Sequence, residues 1–379
     1  MEHIADRFKF FSHLTVALFL TALPMSAIAL ESKPKATQDF SAEDLERRVS
    51  SLRKVLKQSP QSVAAKQNLS IALSDWAQGL IQKKQAASAV EKLKEAVNIA
   101  PQNGPAWFSL GDIVYLQNSN FNEAVLYWKK ALPLAPIAIQ KQIQERISRA
   151  ELDKHLEQGY ASISSMHFLI RFPADFSKAE AVRVGKYMEA EYGKLSTELK
   201  VSPEKLTLII YQKQSFDRVT GSHDETLGLY DGRIRIGVRE VGGEYESVIL
   251  SHELAHAFLQ NAFGSNLPIW IQEGYAQSKE PERPLTPEQT KIKNDLLSGV
   301  GWIPVKWLDR KFSQPSNLDD VSRSYLQSRI IVAFLLRKSG SGDFQLFLSE
   351  ISKGKDVESA FKASFKGLSW NTVEYGRFN

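Results

Sequence analysis

The stretch "EYESVILSHELAHAFLQNAF", residues 244–263, decides the reading of this chain. Val248, Ile249, Leu250, Leu254, Ala255, Phe258 and Leu259 cover a wide apolar arc when wound at the helical period. Glu244 and Glu246 stand where a helix N-terminus favours negative charge, and Gly264 suits a C-terminal cap. The spacing predicts one helix over 244–263. On it, His252 and His256 are one turn apart on one face, with Cβ atoms about 5–6 Å from each other. Two imidazole nitrogens on one tetrahedral zinc ion lie roughly 3.3 Å apart, given Zn–N near 2.0–2.1 Å. Converging side chains close that gap. Glu253 projects to an adjacent side, near the metal without being forced to ligate it, and so is placed to take a proton from an activated water. A histidine pair with no metal is the competing reading. It is disfavoured because both rings share a face with buried neighbours, where unpaired polar groups are costly.

Two imidazoles leave a catalytic zinc site one protein ligand short. The next segment, "PIWIQEGYAQ" (268–277), supplies a candidate. Pro268 suits the start of a second helix, and Glu273 follows one to two turns in. A short turn through Gly264–Leu267 returns its carboxylate toward the two histidines. No third histidine follows at the metzincin spacing.

Upstream, "HFLIRFP" (167–173), "KLTLIIYQ" (205–212) and "RIRIGV" (233–238) read as strands. The helical stretch Lys178–Leu199 between the first two favours parallel pairing with a right-handed crossover. Downstream, the chain from 288 onward reads as helical. "SYLQSRIIVAFLLRKSG" (324–340) is its clearest helix, and Gly340 fits a cap. The expected class is α+β, with a small mixed sheet and a helical C-terminal part over 159–379.

Residues 42–158 read as helical throughout. "AWFSLGDIVYLQNSNFNEAVLYWKKALPLAP" (106–136) places Trp107, Leu110, Gly111 and Val114 on a first helix. Ala124, Trp128, Ala131 and Pro136 fall on or after a second. This spacing resembles a tetratricopeptide repeat. "AVEKLKEAVNIAP" (89–101) matches the second helix of a preceding repeat, and a flanking helix follows near 137–157. The resemblance implies a helical surface for protein or substrate contacts; a spacer packed on its neighbour is the alternative.

Residues 1–29 read as a signal peptide. Arg7 and Lys9 precede an apolar run from Leu14 to Leu23, and "AIA" (27–29) is a small-x-small cleavage site. An uncleaved anchor is the alternative reading. Residues 30–41 read as a linker. The expectation is an exported protein, periplasmic or secreted, with no stable membrane span after cleavage. The chain has no cysteine, so it carries no disulfide and holds together by its cores. A net charge of +5, without a dense Lys/Arg cluster interleaved with aromatics, points away from nucleic acid.

"VILSHELAHAFL", "LPIWIQEGYAQ" and the preceding "GLYDGRIRI" together resemble the peptidase MA-like domains, zinc metallopeptidases of gluzincin type. The resemblance spans about 160–370 and includes "WIPVKWL" (302–308) and "YLQSRIIVAFLL" (325–336). It implies His252, His256 and Glu273 as ligands of one zinc ion and Glu253 as general base. It also implies an edge strand before the metal helix, here "RIRIGV", along which an extended peptide substrate lies. Thermolysin-like enzymes carry an Asp four residues after the third ligand; this chain has Gln277 there. Support for a histidine therefore comes from Gln277 or from elsewhere. An oxyanion donor is also needed. Tyr325 is the first candidate, a core tyrosine being its alternative role, and His223 is the second. The function expected is peptide-bond hydrolysis. The alternatives are an envelope adaptor working through its repeats with a structural zinc, and a zinc hydrolase of another bond such as a cell-wall cross-link.

Overall fold

The structure, a computed structural model, describes residues 42–82, 85–118, 120–220, 227–238, 246–264, 266–314 and 318–377. The signal peptide and linker expected over 1–41 lie outside them, as does His223. Among the described residues, no helix is long and apolar enough to cross a membrane. The chain divides into two compact units that meet in sequence between Gln158 and Gly159.

Among the described residues the first unit is all helical: α1 (Ala42–Gln58), α2 (Val63–Gln82), α3 (Ala86–Ile99), α4 (Gly104–Asn118), α5 (Phe121–Ala131) and α6 (Ile137–Leu156). Consecutive helices pack on one another, most extensively α2 on α3 and α4 on α5. The reason for the small residue at 111 is direct. A Cβ there would stand 2.4 Å from the Trp128 ring, so only glycine lets α4 approach α5. Trp128 is fully buried in that contact, and its indole Nε1 donates to Asp112 Oδ1 at 3.0 Å. Arg146 of α6 donates to the same oxygen at 2.9 Å, tying the third helix to the pair.

The second unit runs β1 (Ala161–Ser164), β2 (Phe168–Phe172), α7 (Lys178–Leu199), β3 (Leu206–Gln212), α8 (Lys213–Thr220), β4 (Gly228–Tyr230), β5 (Ile234–Val238) and α9 (Glu246–Phe263). It continues with α10 (Ile269–Lys279), α11 (Pro287–Leu297), α12 (Val305–Ser313), α13 (Leu318–Ser352), α14 (Val357–Ser364) and α15 (Trp370–Glu374). The sheet order is β1-β2-β3-β5-β4. β2, β3 and β5 are parallel, while β1 and β4 run antiparallel to their neighbours. The fold is therefore α+β with a small mixed sheet and a helical C-terminal part.

The crossover helix α7 buries Ala181, Val184, Met188, Tyr192, Leu195 and Leu199, a helical stripe at steps of three and four residues. It packs on the same sheet face as Leu208, Ile210, Ile234 and Ile236, within one core that also takes in α9, α10 and α12 to α15. The intervening residues point to the other face. There the Arg235 guanidinium is fully buried and donates to both Asp231 oxygens at 3.1 and 3.0 Å, and to the Tyr211 hydroxyl at 2.6 Å. This charge-assisted bond, one Nε–H shared between the two carboxylate oxygens, holds the β4–β5 turn against its own strand.

One expectation is corrected. "RIRIGV" is not an edge: β5 lies between β3 and β4. Among the described strands the edges are β1 and, on this side, β4, the short first arm of the hairpin. Pairing of β5 with β3, a tertiary choice between two arms of one hairpin, decides which arm is left outside. Gly340 has φ 78° and breaks α13 into two helical segments, as its place in the sequence predicted.

Candidate metal centre

Three side chains from α9 and α10 converge. His252 Nε2 and His256 Nε2 lie 3.1 Å apart. Glu273 Oε2 is 3.4 Å from His252 Nε2, and Glu273 Oε1 is 3.5 Å from His256 Nε2. Local structure explains the convergence. The i, i+4 spacing on α9 brings the two rings together edge to face, their centroids 4.8 Å apart. Gly264, at φ +79°, then ends α9 and turns the chain. Pro268 opens α10, whose first amides need an acceptor. Asp309 of α12 provides it, accepting from Trp270 N at 3.0 Å. Gly274 lets α10 sit directly on α13: a Cβ there would be 2.4 Å from the Ser328 carbonyl oxygen. With α10 fixed at both contacts, the Glu273 carboxylate, 2% exposed, points back at the histidines.

This donor set fits a small divalent ion. Neighbouring ligand atoms on a tetrahedral zinc are separated by roughly 3.3 Å; the two imidazole nitrogens are close to that value, each approaches a different Glu273 oxygen, and one ligand atom from each residue lies within 4.8 Å of the others. Glu273 Oε2 and Glu253 Oε2 are buried and lack a hydrogen-bond partner among the described residues, as expected of acids facing a cation and a water.

His252 has a further partner. Its Nδ1 lies 2.9 Å from Glu280 Oε1. With the proton on Nδ1, the Nε2 lone pair faces Glu273 and His256. A carboxylate behind a ligating histidine fixes its tautomer and raises its basicity. The expectation divided this role between Gln277 and another residue, and Glu280 makes the observed contact. Gln277 is buried with its own Nε2 unpartnered, and no described hydrogen bond links it to either ring. The sequence held a usable signal: Glu280 follows Glu273 by seven positions, two helical turns, and so returns to the same face. Glu280→Gln is expected to weaken metal binding by about 10–100-fold, read by competition against a chromophoric chelator.

Electrostatics sort the members. Burial pushes the His256 imidazole down to about 4, so it stays neutral and able to ligate. For His252 burial opposes the charged ring, but the Glu273 and Glu280 carboxylates outweigh it and raise the pKa well above the usual value. Burial would raise Glu273, but the two histidines hold it below the ordinary carboxylate range. Glu253 is pushed up to about 8, first by burial, with Glu273, Asp231 and Glu280 adding to the shift against the pull of His252. A bound dication would favour its ionised form.

Glu253 is held by the edge strand. A Cβ at position 228 of β4 would stand 2.5 Å from Glu253 Oε1 and 2.8 Å from Ile249 Cγ2. Glycine is what lets strand and carboxylate share this space. The hairpin is held in turn by the Asp231–Arg235 pair and by Asn261 of α9, whose Nδ2 donates to the Tyr230 hydroxyl at 3.0 Å. Gly228→Ala is expected to displace Glu253 and to lower turnover on the order of 10²-fold, the scale of a 1 Å misplacement. Metal content should stay unchanged, which elemental analysis beside the rate measurement would check.

Tyr325, on α13, is 5% exposed, and its ring packs edge-on against Phe312 at 4.8 Å. Burial raises its phenol well above the ordinary value, and the Glu273 and Glu253 carboxylates add to the shift. It is therefore a protonated hydroxyl in the field of both acids. Tyr275 turns away, donating to Glu198 Oε1 at 3.3 Å. Trp270 is buried in the core.

A family model described as the peptidase MA superfamily matches residues 231–374. The match begins at the β4–β5 turn and ends with α15. It contains the His252–His256–Glu273 cluster, Glu253, Glu280 and Tyr325, and it leaves out the helical unit. It supports a peptidase MA-like domain over this stretch, of a superfamily that is typically metal-dependent. No curated protein matches the chain.

Proposed function

We propose that this chain is an exported, zinc-dependent peptidase that hydrolyses peptide bonds. The observation that carries the reading is the convergence of the half-buried His252 and His256 with the buried Glu273, one ligand atom of each within 4.8 Å of the others, with Glu253 beside them and the peptidase MA match across them. Held by these three ligands, zinc would supply Lewis acidity, lowering the pKa of a water to about 7 and polarising the scissile carbonyl. Glu253 takes the proton as the water adds to the carbonyl carbon, then returns it to the leaving nitrogen. Tyr325 keeps its proton and donates a hydrogen bond to the carbonyl oxygen as charge develops. β4, the edge strand against Glu253, offers backbone groups to an extended substrate. Glu280 keeps His252 oriented throughout. The helical unit adds a surface for substrate or partner contacts, and the N-terminal segment directs export.

The test is cleavage of an unfolded protein by the full chain, with and without a chelator. The reading expects activity that the chelator removes and stoichiometric zinc restores. Cleavage unaffected by prolonged chelation, or no cleavage by zinc-loaded protein, would overturn it.

A further inference from the structure

A cavity of about 920 Å³ opens between residues 282–285, α11 and α13. This is near the upper end of the roughly 300–1,000 Å³ typical of ligand sites. Leu326 and Phe334, both buried, line its apolar side. Around them stand Lys293, Arg329 and Arg337, and none of the three has an ion-pair or hydrogen-bond partner among the described residues. Glu282 is the one carboxylate in the lining. An apolar surface bordered by unneutralised cations is complementary to a ligand that alternates carboxylates with aliphatic groups.

The cavity is wired to the metal centre. Arg283 of the same lining donates through Nη2 to Glu280 Oε2 at 3.4 Å, and Glu280 is the residue that holds His252. Leu326 directly follows Tyr325 on α13. None of the cluster residues lines the cavity, so it adjoins the centre without being part of it.

We propose that this cavity is a substrate subsite for an acidic, amphipathic peptide segment, with Lys293, Arg329 and Arg337 pairing its carboxylates and Leu326 and Phe334 receiving its aliphatic side chains. The proposal rests on the peptidase reading for its choice of a peptide as occupant. Peptide is favoured over other anions because the matched domain acts on peptides and because the cavity shares a bonded wall with the candidate catalytic centre.

The experiment uses the full chain carrying Glu253→Gln, so that ligand is not consumed. Fluorescence anisotropy compares a short labelled peptide of alternating Glu and Leu with the same peptide carrying Gln for Glu. The acidic peptide is expected to bind about tenfold more tightly at low salt, the preference fading as salt rises. Lys293→Gln with Arg337→Gln, both exposed positions, should reduce the preference to about twofold or less; Arg329→Gln alone should reduce it partly. Equal binding of the two peptides would overturn the proposal, as would a preference that survives the double substitution. Displacement by a fatty acid as efficient as by the acidic peptide would assign the cavity to a lipid anion instead and also overturn it. Binding is read without turnover, so failure here leaves the peptidase reading intact. Loss of cleavage in wild type with selective binding retained would sink the peptidase reading alone.

Discussion

Glu253→Gln is expected to lower turnover by about 10²–10⁴-fold, the range general acid–base catalysis contributes, while leaving the metal in place. The substitution keeps size and shape, so the side chain still fits in the space that Gly228 leaves open, where an added Cβ would stand 2.5 Å from Oε1. It removes the ability to accept and return a proton. Glu253 is not one of the three converging ligand side chains, so zinc content should remain near one equivalent. The split matters more than the loss. A structural role for Glu253 would lower metal content and stability together with the rate. Elemental analysis and thermal denaturation beside the kinetics separate the two cases.

Glu273→Ala should have the second large effect, through loss of the ion itself. The two imidazoles at 3.1 Å would remain, but without the anionic ligand and one coordination position short. Metal binding stabilises whatever fold holds it, by about 4 kcal/mol when free ion exceeds the dissociation constant 1,000-fold. For a domain of this size that corresponds to a shift on the order of 10 °C in Tm. The wild-type chain is therefore expected to lose roughly that much thermal stability on chelation, and the Glu273→Ala chain to show no chelator-dependent change. Equal chelator shifts in both would mean that the ion sits elsewhere. The substitution also removes a buried carboxylate, so the variant without metal need not be less stable than the wild type without metal.

How much of this was readable in the chain follows from where each signal lives. The two histidines and Glu253 are fixed by the period of one helix, so the histidines' shared face and the adjacent place of Glu253 were legible in the sequence. Glu273 required only a turn and a second helix. α7 was legible to its end residues because its apolar stripe is regular and β-type runs flank it. β1 and β4 were missed. β1 is "ASIS", largely exposed, and β4 has three residues, too short for an alternation to show. Which arm of the hairpin became the edge is a pairing decision made against β3 and leaves no local trace. Glu280 could have been found from its two-turn spacing. Asp309 could not, because it caps α10 from a helix 39 positions away. The value of Gly228 was likewise silent, since a glycine does not announce what approaches it.

The central claim is that His252, His256 and Glu273 hold one zinc ion. X-ray absorption at the zinc edge of the purified full chain tests it most directly. The account predicts one equivalent of zinc with two imidazole nitrogens at about 2.0–2.1 Å and a carboxylate oxygen at about 2.0–2.2 Å, the imidazole signal disappearing in a His252→Ala, His256→Ala chain. A full chain that takes up no zinc when it is supplied, or binds it with no imidazole in its shell, would contradict it.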